Sequence, residues 1–194
     1  MDTDEFWRLI DTARARTTNE VPFDEALVDV LTRCPKEEIL AFEARFDTLH
    51  DALYRWDVWA AAYLIGGGCS DDSFMDFRAG LIAQGRTWYE RACASPDVLA
   101  DHPEVVAVAA EDSDEALFHE EVNYAADDAY EQLTGDPDAF DKAYDDYLVA
   151  HPEAGGSNTG TPAGEDFDFD DDAEMHHRLP RLSALFLGHL EKSA

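Results

Sequence analysis

Hydrophobic residues recur along most of this chain at intervals of three and four residues, which is the spacing of one face of an α-helix. The pattern begins with Phe6, Leu9, Ile10 and Ala13, in a helix for which Thr3 is the predicted N-cap. Alternating runs typical of β-strands are hard to find. We therefore predict an all-α fold with a single compact multi-helix domain.

Proline residues indicate where the next helices start. Pro22 opens a second helix, and Pro35 opens a long third helix that continues to Leu64. The hydrophobic face of this third helix includes Trp56 and Tyr63. Its length predicts a central position in the fold.

The second half of the body follows the same logic. Pro96 and Pro103 predict a loop, and Ser113 then begins another long helix that Gly135 ends. After Pro137 a further helix closes the main body. We therefore assign residues 1–150 to one helical domain.

The segment after the body has a different composition. Residues 151–174 combine Gly, Ser, Thr and Pro with a run of acidic residues, so we predict a flexible acidic linker. Phe167 and Phe169 interrupt the acidic run and are expected to dock on a surface if they are ordered. Residues 175–194 form a predicted C-terminal amphipathic helix, which we expect to pack on the chain's own acidic body.

Charge and composition narrow the class of function. The 194 residues include 44 acidic and only 14 basic side chains, for a formal charge of −30. Such a surface repels nucleic acids and anionic membranes, so neither is an expected partner. The acidic start, the lack of a long apolar run and the three cysteines favour a cytoplasmic protein with reduced thiols.

One stretch of the chain brings together several kinds of residue that take part in catalysis and binding in proteins. It runs Gly66-Gly67-Gly68-Cys69-Ser70-Asp71-Asp72-Ser73-Phe74-Met75-Asp76-Phe77-Arg78. Helix capping explains most of it, because Gly66 supplies a left-handed residue that ends one helix and Ser70 caps the next. Asp71 and Asp72 then lie beside the positive end of the new helix dipole. The stretch is therefore a corner between two helices.

Two features of this corner exceed what capping requires. Three consecutive glycines are more than one cap needs, and Cys69 is not a capping residue. Consecutive glycines allow close approach of a ligand to the backbone. A phosphate is not the expected ligand, because Asp71 and Asp72 would repel it and the lysine of a P-loop is missing.

Aromatic residues next to the corner suggest a binding groove. Trp56, Trp59 and Tyr63 share one side of the long third helix, with Arg78 and Arg86 as polar anchors. The leading interpretation is a noncatalytic binding or regulatory module that engages a protein or peptide partner, or a small ligand, at the Gly66 to Arg86 corner. Its candidate ligand-binding residues are Trp59, Tyr63, Gly67, Gly68, Cys69, Ser70, Asp71, Asp72, Arg78 and Arg86.

An enzyme is the alternative class. Cys69 at a helix N-terminus would be a nucleophile if its pKa were lowered and a base lay nearby. No spacing links it to the histidines of the body, which are His50, His102 and His119.

A divalent metal is the second form of the enzyme alternative, with Asp71, Asp72 and Asp76 as ligands. Carboxylate clusters arise by chance in a chain this acidic, and the expected state of these residues is a solvated face. We therefore predict no resident metal and no cofactor.

An ordered set of motifs resembles a known family. The motifs are Phe6-Trp7-x-x-Ile10, Trp56-x-x-Trp59-Ala60-Ala61-Ala62-Tyr63, the corner from Gly67 to Arg78, Leu81-Ile82-x-Gln84-Gly85-Arg86, Ser95-Pro96-Asp97-x-Leu99-Ala100 and Tyr130-Glu131-x-x-Thr134-Gly135. Together they resemble the bacterial domain-of-unknown-function family 4240, over about residues 3–135. This resemblance implies no established activity and assigns no roles to the motif residues.

Overall fold

The computed structural model describes residues 1–111, 116–156 and 160–188, and its secondary structure is helical. The all-α prediction is confirmed. Among the described residues there is no β-strand beyond an isolated bridge between Arg55 and Ala163. The α-helices are Thr3–Arg14 (α1), Phe23–Leu31 (α2), Lys36–Ala52 (α3), Trp56–Ile65 (α4), Asp71–Ala83 (α5), Arg86–Ala94 (α6), Pro103–Glu111 (α7), Ala125–Thr134 (α8), Ala139–Ala150 (α9), Asp172–Arg178 (α10) and Pro180–Phe186 (α11).

The chain divides into two compact units that are interleaved along the sequence. The first comprises residues 1–51 and 119–158, and the second comprises residues 52–118 and 159–194. The first unit therefore contains α1, α2, α3, α8 and α9, and the second contains the remaining α-helices. The predicted boundaries at residues 150 and 174 stay a prediction.

Aromatic packing forms part of the core of the first unit. The rings of Phe6 and Phe42 stack with their centroids 4.8 Å apart, which joins α1 to α3. Tyr130 and Phe140 meet edge to face and join α8 to α9. The cap of α1 differs from the prediction, because Asp2 rather than Thr3 accepts from the backbone N–H of Glu5. Glu5 returns a bond to Asp2, so the pair forms a capping box.

The long third helix predicted from Pro35 to Leu64 is wrong. It is two helices, α3 and α4, separated at Arg55, whose backbone is extended with φ −141° and ψ 146°. The backbone around this break pairs with Ala163, which accepts from Trp56 N–H at 3.0 Å and donates to the Tyr54 carbonyl at 2.8 Å. This partner lies more than a hundred residues away in sequence, so periodicity alone did not reveal the break.

The long helix predicted from Ser113 to Gly135 is also wrong. Ser113 lies outside the described residues, while Leu117 has a φ of 67° and a short 3-10 helix occupies Glu120–Tyr124. A positive φ at a leucine is incompatible with an α-helix. Among the described residues from 116 to 135, α8 is the α-helical part, and Gly135 ends it with a φ of 70°, as predicted.

The loop predicted around Pro96 and Pro103 is helical instead. Pro96–Asp101 forms a 3-10 helix, and Pro103 occupies the first position of α7. Proline at a first helical position has no N–H to leave unpaired, so it starts a helix as readily as it interrupts one.

The C-terminal helices pack within the second unit. Met175, Leu179 and Leu182 are buried. The side chain of Asp97 accepts from the backbone N–H groups of Arg181 and Leu182, each at 3.0 Å to Oδ1. A carboxylate from a distant part of the chain therefore caps α11.

Residues 189–194 lie outside the described range, so α11 ends at Phe186 as far as the structure describes it. Within the described ranges, no helix combines the length and the apolar character that crossing a membrane requires.

Candidate functional site

The three glycines of the corner each have a structural reason. Gly67 has a φ of 61° and Gly68 a φ of 134°, while Gly66 has a φ of −91°. The prediction that Gly66 is the left-handed residue is therefore wrong, and Gly67 takes that role. The Gly68 N–H donates to the Tyr63 carbonyl at 2.9 Å, which together with the left-handed Gly67 forms a Schellman motif at the end of α4.

Gly66 is required by close packing rather than by backbone conformation. A Cβ atom at this position would lie 2.8 Å from Cζ of Phe118 and 2.9 Å from the Gly68 carbonyl oxygen. Both separations are shorter than a normal van der Waals contact. All three glycines are thus accounted for without a ligand.

The start of α5 follows the capping prediction. Ser70 is the N-cap, and its hydroxyl accepts from the Ser73 N–H at 3.2 Å. Asp71 and Asp72 are exposed in the first turn, where their charges favour the helix dipole. These residues have a structural role that does not depend on a bound molecule.

The environment of Cys69 does not favour nucleophilic chemistry. The thiol is half-buried, and its Sγ lies 3.6 Å from the Ser70 carbonyl oxygen. Burial raises the pKa of the Cys69 thiol to about 12, and the charges of Asp76 and Asp71 act in the same direction. A reactive cysteine needs a lowered pKa, so the geometry gives the Cys69 enzyme no support.

The described residues also offer no metal centre. No three His, Cys, Asp or Glu side chains of that part of the chain are grouped so that they could hold a metal ion. Asp71, Asp72 and Asp76 therefore do not form the site that the metal-dependent alternative requires.

The two candidate polar anchors, Arg78 and Arg86, lie in different environments, one buried and one exposed. Arg78 is only 9% exposed, and its guanidinium lies over the rings of Tyr54 and Phe74, at 4.8 and 5.0 Å from their centroids. Arg86 lies on the surface of α6, where its Nε donates to Glu90 one turn further along at 2.6 Å. The charge of Arg86 is thus already compensated by a carboxylate.

The aromatic residues of α4 form a continuous surface, which we call the aromatic face and define as Trp56, Trp59 and Tyr63. The indoles of Trp56 and Trp59 are almost parallel, with their centroids 5.5 Å apart. The Trp59 N–H donates to the Cys69 carbonyl at 3.1 Å, which connects the aromatic face to the corner. All three side chains are half-buried.

The aromatic face contacts the acidic segment, which we define as residues 163–171. The Phe169 ring lies 6.2 Å from Trp56, 6.4 Å from Trp59 and 5.5 Å from Tyr63, measured between centroids. The Tyr63 hydroxyl donates to the Asp170 carboxylate at 2.5 Å.

The acidic segment is also held at its other aromatic residue. Phe167 packs edge to face on Phe169, and the Arg178 guanidinium lies 4.3 Å from the Phe167 ring centroid. The sequence predicts a flexible linker here in which Phe167 and Phe169 can dock on a surface, and the predicted site includes neither Phe169 nor Asp170. The available signal was the alternation of phenylalanine with aspartate in a segment that is otherwise polar.

Comparison with known proteins adds a family but no activity. Residues 1–132 match the family described as "Protein of unknown function (DUF4240)". No curated protein and no solved structure matches the chain. The match includes the corner and the aromatic face, and it ends before the acidic segment begins.

Proposed function

The chain belongs to DUF4240, a family of proteins of unknown function, and we propose that it is a noncatalytic binding module whose aromatic face recognises an acidic peptide with aromatic side chains. The observation that carries the proposal is the contact of Phe169 and Asp170 with the aromatic face. In this chain the acidic segment is the ligand in cis, and a partner peptide of the same chemistry would replace it.

The contacts divide the recognition between two chemical groups. The aromatic face supplies apolar surface to the Phe169 ring, and tilted aromatic pairs are favourable beyond their buried area. The Tyr63 hydroxyl supplies a charge-assisted hydrogen bond to the Asp170 carboxylate. A phenylalanine followed by an aspartate is therefore the core of the recognised motif.

Backbone pairing gives the bound segment a fixed position. Ala163 exchanges hydrogen bonds with the backbone on either side of Arg55, at the start of α4. Main-chain bonds of this kind hold an extended peptide independently of its side chains, as in peptide recognition by strand addition. Because the segment belongs to the same chain, its effective concentration is high and a partner must compete with it.

The test uses the full-length chain and a synthetic peptide of residues 163–172. Calorimetric titration should show that the Phe169→Ala chain binds this peptide with a Kd of roughly 10 to 1000 μM, because its own segment no longer fills the face. The wild-type chain should bind at least about tenfold more weakly, since its own Phe169 competes.

Two controls separate recognition from nonspecific association. A peptide that carries alanine in place of Phe169 should not bind, and an Asp166→Ala chain should behave like the wild type because Asp166 is an exposed acidic residue of the same segment. If a correctly folded Phe169→Ala chain binds the two peptides equally, the proposal is wrong.

A further inference from the structure

A separate cleft of about 590 Å³ lies in the first unit, and the proposed function does not use it. Its walls come from α1, the start of α3, and the end of α9 with the residues that follow. Its charged and aromatic lining residues are Glu5, Arg8, Glu37, Glu38, Arg45, Tyr147, His151 and Glu153.

Two arginines of the cleft form no bond to a carboxylate of the described residues. Neither Arg8 nor Arg45 forms an ion pair with any residue that the structure describes. By contrast, Arg16 and Arg33 both pair with Asp29, at 3.0 and 2.7 Å. Glu5, Glu37, Glu38 and Glu153 line the same cleft, so the two guanidiniums have acidic neighbours but no carboxylate bonded to them, and their donors are open to a ligand.

Arg45 also carries an unsatisfied buried donor. Its Nη2 donates to the Met1 carbonyl at 3.2 Å, but its Nε is buried and meets no hydrogen-bond acceptor in the described chain. A buried N–H without an acceptor is unfavourable. Guanidinium N–H groups match the two oxygens of a carboxylate, so an anionic ligand would bind the N–H groups of Arg8 and Arg45 that line the cleft, while the buried Nε of Arg45 stays out of its reach.

His151 and Tyr147 add a ring nitrogen and a flat surface. Their rings stack with centroids 4.2 Å apart, and His151 Nδ1 lies 3.0 Å from the Tyr147 carbonyl oxygen. A carbonyl only accepts, so Nδ1 carries the proton and Nε2 is left for a ligand. Leu9 and Pro35 supply apolar lining.

The carboxylates of the cleft indicate that the ligand also carries a positive charge. Glu37, Glu38 and Glu153 would repel a dianion such as phosphate, but they would attract an ammonium group. We infer that the cleft binds a small zwitterion of amino-acid type, with its carboxylate on Arg8 and Arg45 and its ammonium group towards Glu37 and Glu38. The ligand is a single amino acid or a short peptide.

Titration calorimetry on the full-length chain tests whether the ligand is a single amino acid or a short peptide. The probes are L-phenylalanine and the dipeptide alanyl-phenylalanine, and the tighter binder identifies the source. Phenylacetate, 2-phenylethylamine and inorganic phosphate each lack one of the two charges and should bind at least about tenfold more weakly. If neither zwitterion binds at about 10 mM, the inference is overturned.

Variants locate the binding in the cleft. Arg8→Gln, at an exposed position, should weaken zwitterion binding at least about tenfold, because a charge-assisted contact is lost. Arg45→Gln should have the same effect, with circular dichroism as the check on folding. Arg33→Gln removes an exposed arginine outside the cleft and should leave the affinity unchanged. Unchanged affinity in folded Arg8→Gln and Arg45→Gln chains would refute the site, whatever the outcome for the aromatic face.

Discussion

At the scale of single residues, burial changes what a side chain can do. Arg78 and Cys69 have reactive or charged groups, but one lies over two aromatic rings and the other has a raised pKa. Burial also changes Glu43, although nothing in the sequence distinguishes it from the other acidic residues of the helices. Burial raises the pKa of Glu43 to about 8, and the charges of Asp47 and Asp127 add to the effect.

The surroundings of Glu43 are themselves acidic. The Tyr144 hydroxyl donates to the Asp47 carboxylate at 2.5 Å, and burial raises the pKa of both Asp47 and Asp127. Glu43 is half-buried as a whole residue, but its carboxyl group is desolvated. The folded state therefore holds protons that the unfolded chain releases near pH 4.5.

The sign of the pH dependence follows from this difference. Between pH 4.5 and about 8 the folded state binds more protons than the unfolded state, so the free energy of unfolding falls as pH rises. We expect a fall of roughly 1 to 3 kcal/mol between pH 5 and 8. Urea denaturation across this range should show a flatter profile for Glu43→Gln, because an amide does not ionise. Glu20→Gln, at an exposed loop position, should keep the wild-type slope; an equally steep Glu43→Gln profile would contradict the assignment.

At the scale of elements, the corner between α4 and α5 is a joint built from caps. Its left-handed glycine, its serine N-cap and the Trp59 bond to the Cys69 carbonyl fix the path of the chain from one helix to the next. The same joint positions the aromatic face beside the acidic segment. Its glycines therefore serve the proposed site indirectly, by placing α4.

Substitution at Gly66 tests the packing explanation. Gly66→Ala should lower the free energy of unfolding by about 1 to 3 kcal/mol, because the new Cβ would meet Phe118 Cζ and the Gly68 carbonyl. Gly67→Ala, where space is open but φ is 61°, should cost about 1 kcal/mol. In a double-mutant cycle by urea denaturation, Phe118→Leu should relieve part of the Gly66→Ala cost. Strict additivity would show that the ring is not the obstacle.

At the scale of the whole molecule, the charge of −30 is the dominant property. Like charges on a folded chain repel one another, and this repulsion is screened by salt. Ion pairs such as Lys142 with Asp146 and Arg86 with Glu90 are exposed and contribute little stability. The net effect of salt should therefore be dominated by relief of repulsion rather than by loss of ion pairs.

Calorimetric melting measures this balance. Raising sodium chloride from about 0.1 to 1 M should raise Tm by roughly 2 to 8 °C, because the screening length falls from about 10 to 3 Å. Potassium chloride should act equally if screening is the cause. A falling Tm would mean that the exposed ion pairs outweigh the repulsion.

The sequence by itself determined the features that depend on neighbours along the chain. Helical periodicity predicted the all-α class. Ser70 was the predicted N-cap of α5 and Gly135 the predicted end of α8, and the structure has both. The ordered motifs predicted the family over about residues 3–135, and the family match covers residues 1–132. These signals are local because a helix forms its hydrogen bonds within a few residues and is ended by its own caps.

Only the tertiary structure decided features that depend on residues far apart in sequence. The break at Arg55 faces Ala163, the cap of α11 comes from Asp97, and the aromatic face meets Phe169. The cleft likewise joins Arg8 with His151. Hydrophobic periodicity does not reveal such contacts, because each partner follows its own local pattern. The contact stabilises the fold only when the folded chain brings both partners together.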